Sequence, residues 1–327
     1  MSFAPSFRRT VAALALGVVA AFAPRAEAAV NKTLCVYDPG GASGDAFQNA
    51  KRYQAAATGW GVNFTLKPYT DEAVAAADFR NKQCDAALIT GVRVQQFNRK
   101  TYSVEALGLI PDYATLKKAV TVLAQEKAAS LMVSGEFETA GIFPAGAIVL
   151  FVNDRAVSNA SALAGKRICT MSFDNAAKTM VGVVGASPIS ADVGTFASKF
   201  NNGSCDVAYA PAAAFNPLEL YKGVGAKGGV VDFPLAQLTY QVLIRPADFP
   251  AGFGQQSRTW SVTQFDAVLA TINKAAAGVK ADLWMKIAGE DAVRYKKLLS
   301  DTRNKLVAGG SYDATVVKLL EQLAAKP

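Results

Sequence analysis

The chain of 327 residues contains no histidine. That absence excludes a Ser-His-Asp or Cys-His catalytic arrangement and every zinc site that needs imidazole. Cysteine is sparse, four in all, and none falls in a Cys-x-x-Cys pair, so a thiolate zinc site or redox motif is not signalled either. No phosphate-binding loop, no Gly-x-Ser-x-Gly turn and no dinucleotide fingerprint after a strand is present. Basic residues exceed acidic ones, 34 to 26, but they are scattered, with no dense block and no basic–aromatic alternation. Nucleic acid is therefore not an expected partner, and no cofactor is expected. The mildly basic balance favours an anionic ligand or surface. No apolar run is long enough to cross a bilayer as a helix.

What is present begins at the N-terminus. Arg8 and Arg9 precede the uncharged run 11–23, which is 13 residues long. Pro24 ends that run, and Ala26-Glu27-Ala28 supplies a small-x-small pattern. This reads as a cleavable secretory signal over residues 1–28, cut after Ala28. Export places the mature chain in the periplasm, an oxidising compartment. The mature chain is expected to be soluble and is long enough for two domains.

The cysteines repeat. Residues 33–37 (TLCVY) and 84–89 (CDAALI) read as strands, and so do 167–171 (RICTM) and 205–210 (CDVAYA). In each pair a strand led by a basic residue is answered by a Cys-Asp-x-Ala strand. The gap between them has room for a helix, a second strand and a second helix. In such a unit the first and third strands are neighbours, about 5 Å apart, which suits a disulfide. The expected bonds are Cys35–Cys84 and Cys169–Cys205, one in each unit.

Periodicity fills in the rest. In the first unit helices are expected at 45–59, 70–82 and from Thr90 onward through Arg93, with a strand at 62–69 and a further helix at 116–125. Residues 147–152 read as a strand crossing to the second unit. There the strands 168–171, 188–189 and 205–210 alternate with helices at 176–185 and 193–200, and 238–244 reads as the returning strand. The tail is helical, with Ser261 and Gln264 as a capping box. Val316, Leu319, Leu320 and Leu323 form an apolar stripe expected in the core. The expected fold is α/β: a two-lobed clamshell, each lobe a mostly parallel sheet flanked by helices, with two crossover hinge strands. Lobe 1 takes 29–150 plus about 245–327, and lobe 2 takes 151–244.

Ligands of open α/β sheets sit beyond the carboxyl ends of the strands. That rule selects Gly40, Gly41 and Ser43 after the first strand, where backbone N–H groups suit an anion. It selects Thr90 and Arg93 after the third, with Arg93 the preferred anion-binding side chain. In the second unit it selects Met171, Ser172, Phe173 and Asp174, then Ala210, Pro211, Phe215 and Asn216. Tyr240 lies in the return crossing, and Arg245 just beyond it is expected to be exposed. Phe173 and Phe215 read equally well as pocket walls or as core.

Residues 162–168 (ALAGKRI), 185–189 (GASPI) and 202–208 (NGSCDVA), with Leu109-Ile110-Pro111 upstream, resemble stretches in the same order in the substrate-binding subunits of tripartite ATP-independent periplasmic (TRAP) transporters. The resemblance covers most of the mature chain through short motifs. It implies a clamshell receptor that captures a small ligand, anionic or carboxylated, and delivers it to a membrane permease. One position departs. An Arg that forks a ligand carboxylate in those subunits aligns with Cys169, and Arg167 lies about 7 Å deeper along the strand. A lipid or sterol carrier, an accessory of an efflux complex, and an enzyme working through Asp38, Asp45 or Asp174 stand as the other readings.

Overall fold

The structure is a computed structural model, and it describes residues 1–2 and 29–325. The proposed signal, its arginines and its cut after Ala28 lie outside the described residues. Strand β1 (Val30–Tyr37) leads through helix α1 (Asp45–Thr58) to β2 (Val62–Tyr69), α2 (Glu72–Arg80) and β3 (Ala86–Thr90). Helix α3 (Tyr113–Leu123) and the two-residue strand β4 (Val133–Ser134) follow, then the 16-residue strand β5 (Phe137–Val152). The second unit runs β6 (Arg167–Met171), α4 (Asn175–Val183), β7 (Ser187–Ala191), α5 (Val193–Asn201) and β8 (Val207–Pro211). Short strand β9 (Gly229–Asp232) precedes β10 (Ala236–Ile244). The tail holds α6 (Phe253–Thr263), α7 (Phe265–Ala276), β11 (Trp284–Lys286), α8 (Gly289–Ala308) and α9 (Ala314–Ala324).

The main sheet order is β2-β1-β3-β10-β5-β8-β6-β7. Strands β1, β2 and β3 are parallel, and so are β6, β7 and β8. Each block is wound second-first-third. Between the blocks run β10 and β5, antiparallel to each other and to the strands they flank. Strand β5 pairs with β10 over Glu138–Ile148 and with β8 over Ile148–Val152, so one strand serves both halves of this two-lobed α/β fold. At the changeover, Gly146 has φ +116°, and a side chain there would meet Pro211 at 2.8 Å. Only glycine suits that bend.

Local chemistry explains the elements. Phe47, Ala50, Tyr53 and Ala57 fall at helical spacing on α1 and are buried against Leu34, Val36 and Leu88 of the sheet. Both disulfides form as expected, Cys35–Cys84 and Cys169–Cys205, with Cα separations of 5.8 and 5.5 Å. Cys84 and Cys205 sit two residues before β3 and β8 rather than inside them. Val316 and Leu320 are buried, and Leu319 and Leu323 pack on the same cluster.

Three local expectations are corrected. The helix from Thr90 is a single turn, Gly91–Val94, because Asn98 then accepts from the N–H groups of Lys100 and Thr101 and starts a new turn. Ser261 lies inside α6, donating to the Ser257 carbonyl at 2.8 Å, so it forms no capping box with Gln264. Arg245 is buried, not exposed. It donates to the Phe79 carbonyl at 2.7 Å, lies over the Phe79 ring and approaches Glu136. The tail touches both halves: α9 packs on α3, whereas α8 runs along α4. Among the described residues no helix is long and apolar enough to cross a membrane.

Candidate ligand-binding cleft

The carboxyl ends of the two parallel blocks converge. Strand β1 ends at Tyr37, and Asp38 follows, buried. Its Oδ1 accepts from the Gly40 N–H at 2.7 Å, and its Oδ2 accepts from the Phe47 N–H of α1 at 3.1 Å. Gly44 permits this: a side chain on it would fall 1.9 Å from Asp38 Oδ1. The Gly41 N–H donates to the Asp38 carbonyl, and the Ser43 hydroxyl to the Gly40 carbonyl. The cradle read from Gly40, Gly41 and Ser43 as a seat for a ligand anion is thus filled by the chain's own carboxylate.

The same pattern recurs after β3. The Thr90 N–H donates to Glu72 Oε1 at 2.7 Å, and Glu72 Oε2 lies 3.5 Å from Arg93 Nε. Burial raises the Glu72 pKa, opposed by Thr90 and by the Arg93 charge. The Arg93 guanidinium lies 3.4 Å from the centre of the Phe173 ring, so a cation of the first half rests on an aromatic face of the second.

In the second half Asp174 caps α4. Its Oδ1 accepts from the Ala177 N–H and its Oδ2 from the Tyr209 hydroxyl, each at 2.9 Å. Tyr209 in turn accepts from the Met171 N–H at 3.2 Å. Burial raises the Asp174 pKa against those hydrogen bonds, and it raises Tyr209 and Tyr240 as well. Asp38 and Asp174, two of the three acids considered for catalysis, therefore serve as helix-capping groups.

Two adjoining cavities occupy the seam. One, of about 240 Å³, is walled by Tyr37, Glu72, Thr90 and Tyr240 on one side and by Met171, Phe173, Asp174, Tyr209 and Pro211 on the other. The second, of about 340 Å³, is walled by Asp38, Gly40, Ser43, Asn49 and Arg52 facing Ala213, Leu218 and Ile272. Tyr240, from β10, lines both. Arg52 stands exposed at the larger one and donates to Asn49 at 3.1 Å. A third space of about 30 Å³, room for one water, lies between Glu105, Asp174, Tyr102 and Tyr312. There burial pushes Glu105 up to about 8, opposed by Thr239 and reinforced by the nearby charges of Asp174 and Glu72. Its Oε2 is buried without a partner.

Of the residues selected from sequence, Gly40, Ser43, Thr90, Met171, Phe173, Asp174, Ala210, Pro211 and Tyr240 line one cavity or the other. Gly41, Arg93, Ser172, Phe215 and Asn216 do not. Phe215 is core, stacked on Phe151 with ring centres 6.1 Å apart. The Asn216 amide sits against Gly278, 2.3 Å from where a side chain there would begin. Cys169 is buried in its disulfide. Arg167 is exposed and paired with Asp206 at 2.6 Å, so neither it nor Arg93 stands free as a carboxylate clamp. Sequence reasoning missed Tyr37, Glu72 and Tyr209. The strand-end rule reaches Tyr37, the last residue of β1. Glu72 gave no signal, because its partner Thr90 is remote in sequence.

The chain resembles solved TRAP periplasmic solute-binding proteins. One from Desulfovibrio salexigens, with bound orotic acid, superposes with a TM-score of 0.74 at 16% identity, covering 90% of this chain and 99% of that one. Another from Shewanella oneidensis, with bound succinate, gives a TM-score of 0.68 at 12% identity, covering 91% and 100%. In sequence the chain is 40% identical over 291 residues to the probable solute-binding protein AdeT1 of Acinetobacter baumannii, covering 89% of this chain and 96% of that protein. The model of the family described as solute-binding protein AdeT 1/2 matches residues 55–327. By that match and that relative, the chain belongs to the AdeT 1/2 family of solute-binding proteins.

Proposed function

We propose that this solute-binding protein works in the periplasm as a receptor, capturing a small molecule in the seam between its halves and handing it to a membrane permease. The carrying observation is the pair of adjoining cavities where the carboxyl ends of both parallel blocks meet, with Tyr240 common to both. The lobes we assign are 29–150 and 151–244, hinged on β5 and β10, with residues 245–325 laid across both. The cleft residues are Tyr37, Thr90, Met171, Phe173, Asp174, Tyr209, Pro211 and Tyr240, with Gly40 and Ser43 in the larger cavity. The Arg93–Phe173 contact spans the seam and favours closure.

Supporting a receptor over a lipid carrier, the mostly apolar walls are interrupted by Glu72, Thr90 and Asp174, and the family match is to solute-binding proteins. Export by the 1–28 signal, with cleavage after Ala28, belongs to the same reading. Native mass spectrometry of the mature protein taken from its own periplasm tests it. A stoichiometric small molecule is expected, and Tyr240→Ala should lose it. Protein that arrives empty, or a passenger indifferent to Tyr240→Ala, counts against the cleft.

A further inference from the structure

The charges of the cleft point to a ligand class, an inference that rests on the receptor reading. Three turns at the strand ends present backbone N–H groups where an anion would dock, and each is occupied from within. Asp38 takes the Gly40 and Phe47 N–H groups, Glu72 takes that of Thr90, and Asp174 takes that of Ala177. No Lys or Arg lines the cavity of about 240 Å³, whereas Glu72 and Asp174 do. The larger cavity carries Asp38 and Asp45 against Arg52 alone. Among the described residues Asp38 and Asp174 have no ion-pair partner, and Arg93 is committed to Glu72 and Phe173. A carboxylate ligand would meet like charge on the wall of the smaller cavity with no lining Lys or Arg among the described residues, and in the larger one would find only the exposed Arg52.

We propose that the cleft binds a small organic cation, a protonated amine on a compact aromatic or apolar body. Asp174, with the rings of Tyr37, Tyr209, Tyr240 and Phe173, supplies what an ammonium needs when it leaves water: a carboxylate and aromatic faces. The ring centres of Tyr37 and Tyr240 lie 6.2 Å apart, side by side on the cavity wall. The seam already displays this chemistry on its own cation. The Arg93 guanidinium is held between a buried carboxylate and an aromatic ring contributed by opposite halves.

Isothermal titration of the mature chain with phenethylammonium, 2-phenylethanol and phenylacetate tests the charge on one aromatic body. Phenethylammonium should bind at least tenfold tighter than phenylacetate, with 2-phenylethanol between them. Glu72→Gln frees Arg93 and should shrink or invert that ratio, and Asp174→Asn should weaken the cation alone. Phenylacetate binding as tightly as phenethylammonium overturns the proposal, as does 2-phenylethanol matching it. A ratio unmoved by both variants, or no heat from any probe, also overturns it. Tight phenylacetate binding abolished by Tyr240→Ala would leave the receptor reading standing while removing the cation. Failure of every probe together with an empty protein from the periplasm removes both.

Discussion

The two halves share a plan and differ in their turns. Both parallel blocks are wound second-first-third, and both tie the first strand to the residue two before the third by a disulfide. At their carboxyl ends the first half presents Asp38, gripping two backbone N–H groups, and Glu72, gripping one, and sends Arg93 across the seam. The second presents Asp174 and Tyr209 as one hydrogen-bonded unit and receives Arg93 on Phe173. The repeated part is scaffold, and the part that differs lines the cavities at the seam. Loops tolerate change that a packed sheet does not.

The scaffold side of the comparison is sharpened most strongly through the disulfides. Their sequence separations are 49 and 36 residues. By loop entropy each is worth about 4 kcal/mol, the longer slightly more. Cys35→Ser with Cys84→Ser and Cys169→Ser with Cys205→Ser should therefore lower stability by similar amounts in urea titrations. A loss confined to one pair would break the equivalence of the halves.

The next effect lies where the halves meet. Glu105, pushed up to about 8 by burial, binds a proton in the folded protein over a range where the unfolded chain has lost it. Stability should therefore fall as pH rises from the ordinary carboxylate range to about 8 and level off above, with a slope of up to about 1.4 kcal/mol per pH unit. Glu105→Gln should flatten that stretch of the profile. An unchanged profile would remove Glu105 from the account.

Smaller effects separate the turns. Asp38→Ala and Asp174→Ala each remove a helix-capping carboxylate and should cost about 1–2 kcal/mol of stability by thermal unfolding. Asp174→Ala should cost the more, because it also leaves the Tyr209 hydroxyl without its acceptor. Least of all, Phe173→Ala removes an aromatic face worth about 0.5–1 kcal/mol to the Arg93 contact. It should shift the protein toward a more open form, read as a larger radius of gyration in solution scattering, with little change in unfolding. Arg93→Ala should do the same.

Much of the scaffold was legible in the sequence, because it follows from periodicity and from the doubled Cys-Asp-x-Ala pattern. The disulfide partners, α1, β2 and the stripe on α9 come from local rules. Most of the residues that the strand-end rule selected line one cavity or the other. The missing part is pairing between distant residues. Arg93 reads as a free cation until Glu72 and Phe173 are seen against it, and the Gly40–Ser43 turn reads as an empty anion cradle until Asp38 folds into it. Arg245 reads as surface because its partners, Phe79 and Glu136, come from separate elements. Strands β9 and β11 carry too few residues for a periodic signal and exist only because they pair with each other and β9 with β5.

In the proposed receptor both halves build one binding site at their seam. A crystal structure of the mature protein purified with whatever it carries from the periplasm tests this most directly. Ligand density is expected against Tyr240, contacting Tyr37 or Thr90 from one half and Phe173 or Asp174 from the other. Density lodged against one half alone, or elsewhere on the molecule with the seam empty, would contradict it.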